Sequence, residues 1–203
     1  MNGAWWMAGF ERIQQRGLRR SFCMRFSSIS KVCILVMLVA AGIRAVHVIA
    51  SGNFDEVIPG VLYRSAQPDA AEIKYIVENF GVKSILNLRD EAKGDWCREE
   101  LAAARRANVQ LIDFPISSGH TLSKTDLEKL IAIWNSAPKP MLVHCEHGAN
   151  RTGLVSAIFV KLTGSGSWLA ELQLSPYYGH VPIPGIGRFS MQESWALFKR
   201  IQN

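Results

Sequence analysis

Two periods of apolar residues run through this chain, and the switches between them mark its elements. Residues 57–63 alternate around Pro59-Gly60, which predicts an edge hairpin. Ile73, Ile76, Val77 and Phe80 recur at helical spacing, so a helix is expected over 69–80, ended by Gly81. A strand-like run occupies 82–88. Residues 95–107 read as an alanine-rich helix with Asp95 as its N-cap, 109–116 return to strand, and Ser123 opens a helix over 124–135. The short apolar run 140–143 and the helix-like run 154–160 complete the pattern. Alternating strand and helix predicts an α/β domain, a twisted and mainly parallel central sheet flanked by helices.

The first 50 residues are of another kind. Arg12, Arg16, Arg19, Arg20, Arg25 and Lys31 stand against Glu11 alone, and residues 32–50 are apolar except for Arg44 and His47. A basic flank before about 19 mostly apolar residues suits one membrane-spanning helix with the flank held in the cytoplasm. The division expected is therefore a basic cytoplasmic tail (1–31), a transmembrane anchor or signal segment (32–50) and a catalytic domain (51–203) outside the cytoplasm. A cleaved signal peptide also fits, because the apolar stretch before Arg44 is short, and so does an interfacial helix. Trp5 and Trp6 could touch the membrane surface or belong to a disordered tail. With Arg44 added, these 50 residues carry the whole net charge of +6. Residues 51–203 are formally neutral, so the isoelectric point near 9.3 is no sign of a nucleic-acid partner.

Between the apolar runs 140–143 and 154–160 lies Val143-His144-Cys145-Glu146-His147-Gly148-Ala149-Asn150-Arg151-Thr152-Gly153. A loop that leaves a strand and enters a helix can turn the backbone N–H groups of Glu146, His147, Gly148, Ala149, Asn150, Arg151 and Thr152 toward an anion, and the helix start adds positive potential. That field favours a cysteine thiolate, which makes Cys145 a candidate nucleophile. Arg151 offers a planar fork matched to two phosphoryl oxygens. Zinc on His144, Cys145 and His147 is a poor alternative, since neighbouring positions on one loop converge with difficulty and no fourth ligand is evident. No metal or other cofactor is expected.

The run His-Cys-x5-Arg-Thr-Gly resembles the signature of the cysteine-dependent protein tyrosine and dual-specificity phosphatase superfamily. Residues 57–68 and 82–89 are similar to the first and second strands of its compact bacterial members, and the resemblance spans residues 54–201. It implies phosphate ester hydrolysis through a phosphocysteine on Cys145, with Arg151 binding the phosphoryl group. It also implies a leaving-group hydroxyl on Thr152 and a loop-orienting His144. A phosphorylated protein or a membrane lipid phosphate would be the substrate; the absence of lysine in the loop argues against highly phosphorylated inositides.

The general acid departs from the family pattern. The Pro115-Ile116 landmark puts Ser117 or Ser118 where an aspartate is expected, whereas distance from Cys145 favours Asp113. Asp126 and a substrate needing no acid are the other options, and His120 reads as a solvated loop residue. Cys97 suits a packed helix position, although a protective bridge to Cys145 is conceivable. Residues 175–187 are too rich in Gly, Pro and aromatics for regular structure, so His180 and Tyr178 belong to a packed connector or to the pocket rim. Two rival classes remain, a rhodanese-like sulfurtransferase and a pseudophosphatase that only binds phosphorylated ligands.

Overall fold

A computed structural model describes residues 30–89, 94–184 and 189–202. The chain falls into two compact units, one ending at Ala45 and the other starting at Val46. Helix α1 (Ser30–Ala50) is long and apolar enough to span a membrane or to serve as a signal sequence. Most of the basic tail, with Trp5 and Trp6, lies outside the described residues.

The second unit is a five-stranded sheet in the order β1 (Asp55–Ile58), β2 (Leu62–Ser65), β5 (Met141–His144), β3 (Ser84–Asn87) and β4 (Gln110–Asp113). Only the β1–β2 hairpin is antiparallel. The pleat sorts the strand side chains onto two faces. Tyr63, Ile85 and Leu142 pack toward α2 (Ala70–Phe80) and α3 (Asp95–Arg106). Leu62, Leu86, Met141 and Val143 pack on the other face, with α4 (Lys124–Ser136), α5 (Asn150–Leu162), α6 (Ser167–Gln173) and α7 (Ser190–Gln202). Because α5 is covered nearly all round, Thr152 to Val160 are all buried and the helix shows no polar stripe.

The expected helix starts are met within one residue except at α5. Asp69 caps α2 in a capping box with Glu72, and Ser123 caps α4 in one with Asp126. Gly94, not Asp95, is the N-cap of α3; Asp95 sits in the first turn and pairs with Arg98, where its charge meets the helix dipole. Helix α5 starts at Asn150, four residues earlier than its apolar run suggested. The parallel strands end together at the edge where Ser65 and Asn87 flank His144 and Asn87 faces Asp113. Strands that end in register leave a crevice at their carboxyl ends, and the loop from Cys145 onward rises from it.

Candidate active site

The loop is held from outside by its carbonyl oxygens. Gln67 N donates to the Glu146 carbonyl at 3.2 Å, Asn53 Nδ2 to that of His147 at 3.1 Å, and Arg64 Nη2 to that of Gly148. In a trans peptide the carbonyl of one residue and the N–H of the next point oppositely. Tying those three carbonyls outward therefore turns the N–H groups of His147, Gly148 and Ala149 to the inner side. The N-cap of α5 is Ala149, which has no capping side chain, so the first-turn N–H groups of the helix remain available to an anion.

Gly148 is required twice over. Its φ is +67°, and a Cβ there would stand 2.7 Å from the backbone of Ser65 and Ala66. Arg64 is the main strut: fully buried on β2, it also reaches Gln173 Oε1 at 2.8 Å and the Gln173 carbonyl at 3.0 Å. Its guanidinium lies 3.7 Å from the centre of the Tyr178 ring. Burial, together with the hydrogen bond to Asp55 Oδ2 at 2.6 Å, pushes the Tyr178 phenol well above the ordinary tyrosine range.

Cys145 is 3% exposed and follows the last residue of β5. The Arg151 side chain is 11% exposed; its Nη1 is 3.4 Å from the Leu88 carbonyl and its Nη2 3.8 Å from Glu146 Oε2. Such a guanidinium, on one loop with inward N–H groups and a thiol, can bind a phosphoryl group and present it to sulfur. The Thr152 hydroxyl is buried in the first turn of α5 and has no protein partner among the described residues.

The zinc alternative fails on direction. His144 is wholly buried against Glu100, whereas the His147 side chain is 75% exposed. Cys97 is half-buried on α3 and, like Cys145, carries a free thiol. Tyr178 and His180 are buried; His180 Nδ1 is 2.7 Å from Asn150 Oδ1, and Tyr178 lines a cavity with Glu146, His147 and Asn150.

The candidate acids are distributed differently. Asp113 Oδ1 accepts from Asn87 Nδ2 at 3.0 Å at the end of β4, and the residue itself is exposed. Asp126 is taken up by its capping box with Ser123. Ser117 and His120 hydrogen-bond each other at 3.2 Å across their own loop. Sequence reasoning did not single out Arg64, Asn53, Glu100 or Gln173. Two left a signal: Arg64 interrupts an otherwise apolar strand position, and Glu100 shares the helical face of Ala103 and Ala104.

Residues 45–174 match the family described as DSP-PTPase phosphatase fused to NAD+ kinase. The inositol diphosphatase SIW14 of Saccharomyces cerevisiae is 30% identical over 125 residues, 57% of this chain and 42% of the yeast protein. The chain thus spans less than half the length of that relative. The citrate complex of the SIW14 core catalytic domain superposes with a TM-score of 0.57 at 25% identity, covering 73% of this chain and 90% of that one. TpbA of P. aeruginosa shares the fold, with a TM-score of 0.55 at 22% identity over 76% of this chain and 93% of its own.

Proposed function

The chain belongs to the family of dual-specificity-type phosphatases described as fused to NAD+ kinase, and on that premise we propose that it hydrolyses phosphate esters through a phosphocysteine on Cys145. The Cys145 thiolate attacks phosphorus in line, forming the S–P bond as the P–O bond to the leaving group breaks. Arg151 and the inward N–H groups hold the three peripheral oxygens through the transition state. Water then attacks phosphorus, the S–P bond breaks, and inorganic phosphate and the thiolate are released. The buried Thr152 hydroxyl supports the returning thiolate. The chemistry needs no metal.

The observation that carries this reading is the outward tethering of the Glu146, His147 and Gly148 carbonyls on the loop of a buried cysteine, with the Arg151 guanidinium 3.8 Å from Glu146 of the same loop. A sulfurtransferase has no comparable need for the arginine fork, and a pure binding module none for the thiol.

The preferred substrates are phosphates whose leaving group departs with little proton donation, aryl phosphates such as phosphotyrosine first. Two features support this. Asp113 and Asp126 are engaged in strand-end and capping contacts, and Glu146 places a carboxylate rather than an ammonium near Arg151. A phosphoanhydride is the second reading, favoured by the similarity to an inositol diphosphatase. Residues 32–50 would anchor the protein or direct its export, residues 1–31 would stay in the cytoplasm, and residues 51–203 would be the catalytic domain beyond it.

The test is steady-state hydrolysis by the full chain in detergent, with EDTA and reductant, beside Cys145→Ser. Substrates would be an aryl phosphate, phosphotyrosyl and phosphoseryl peptides, an inositol pyrophosphate and a phosphorylated lipid. Metal-independent turnover, lost in the variant and fastest on the aryl esters, is expected. Turnover on none of them, with phosphate still bound, would convert the assignment to a binding module.

A further inference from the structure

Glu100 lies in the middle of α3, 2% exposed, and His144 is the last residue of β5, wholly buried. Glu100 Oε1 and His144 Nε2 are 2.6 Å apart. No other group among the described residues hydrogen-bonds the carboxylate oxygens or either ring nitrogen. The two side chains make a carboxylate–imidazole contact shut away from water. A buried pair of this kind contributes little net stability compared with apolar residues of the same volume. Its value must lie in what it orients.

The strand alternation shows what that is. His144 shares the face of Leu142, toward α2 and α3, while Cys145 packs with Val143 on the opposite face. Fixing the His144 ring on one side of the sheet therefore fixes the backbone from which the Cys145 side chain leaves on the other. The start of α3 is held as well, because Trp96 in its first turn stacks 3.7 Å from the Arg89 guanidinium, and Arg89 follows Leu88, whose carbonyl accepts from Arg151.

We infer that Glu100 is a positioning residue for the nucleophile, acting through His144 to hold the start of the phosphate loop. The inference rests on the phosphocysteine reading, but it can be tested apart from it. Glu100→Gln keeps the volume and removes the charge. In the full chain it should slow alkylation of Cys145 by iodoacetamide by about tenfold or more and lower kcat by a similar factor with KM little changed, since misplacing a reacting atom acts on the chemical step. Glu100→Asp, which restores the carboxylate, should recover part of both losses. Wild-type alkylation and kcat in Glu100→Gln would overturn the inference.

Should the variants fail to fold, NMR on the wild-type protein decides. A His144 ring proton on Nε2, shifted far downfield, is expected, and an Nε2 without a proton would overturn the assignment. An inactive wild type whose Cys145 alkylation still slows in Glu100→Gln would sink the phosphatase reading and uphold this one.

Discussion

The two halves of the crevice are built to different standards. The half proposed to receive the phosphoryl group, from Cys145 to Arg151, is tied into the core by Arg64, Asn53 and Gln67 and lies beside the Glu100–His144 pair. The half where a leaving-group acid belongs, residues 114–122, is only partly buried: Ser117 bonds within the loop to Gly119 and His120, while Phe114 N and Ile116 N donate to the Asn87 and Leu88 carbonyls and Thr121 Oγ1 to Glu193. It is fastened by the burial of Ile116 and Leu122 and by the bond from Leu122 N to Ser194 Oγ at 2.9 Å. Holding an anion demands fixed donors, because backbone N–H groups stabilise charge only when they are already aimed. Proton donation demands less order when the leaving group is a good one. On the proposed function, the contrast would make the site strict toward phosphate and looser toward its ester partner.

The largest effect should come from the ordered half. Cys145→Ser is expected to lower turnover by roughly 10³-fold or more while phosphate still binds in equilibrium dialysis. Arg151→Lys should cost about 10²-fold or more in kcat/KM, since an ammonium cannot reproduce the fork. Gly148→Ala comes next: the added methyl meets the Ser65–Ala66 backbone at an unfavourable φ, so about 1–3 kcal/mol of stability should be lost in urea titrations. Activity should fall with it, by about 10²-fold, through displacement of the loop.

Asp113→Asn sharpens the comparison from the other side. Because its carboxylate serves Asn87, aryl phosphate hydrolysis should change by less than about threefold, with the basic limb of the pH–rate profile intact. A loss of about 10²-fold that includes that limb would make Asp113 the acid and break the contrast between the halves.

The smallest effect lies behind the cradle, in the seam joining α6 to α7. Burial raises the Glu171 carboxyl, but bonds from Lys199 Nζ at 2.8 Å and Trp195 Nε1 at 3.0 Å outweigh it and hold the group below the ordinary range. A depressed carboxyl stabilises the fold at pH values above its unfolded range, and that contribution is lost as pH falls through the folded value. Glu171→Gln should therefore melt slightly below the wild type at neutral pH, by no more than about 1 kcal/mol because the pair is partly exposed. The two melting curves should converge in acid.

Much of this was legible in one dimension. The helix end at Gly81, the cap Ser123, the hairpin at Pro59-Gly60 and the strand–loop–helix unit around Cys145 all depend on neighbours a few residues apart. Helices α6 and α7 were not, since α6 is short and the burial of Met191, Trp195 and Phe198 depends on the α5 face they meet. The early start of α5 escaped for a similar reason: Asn150 to Gly153 belong to the helix by backbone and to the loop by chemistry, so hydropathy does not register them.

What the chain by itself determined was the order of elements, the apolar N-terminal segment and a strand–loop–helix unit with Cys145 and Arg151 six residues apart, because spacing along such a unit is local geometry. What only the tertiary structure decided was which side chains hold that loop. Arg64, Asn53 and Glu100 lie 84, 94 and 44 positions from the Gly148, His147 and His144 they meet. Contacts at such separations exist only after the parallel strands have aligned their carboxyl ends, and a buried charge finds its partner there because leaving it unpaired would cost several kcal/mol.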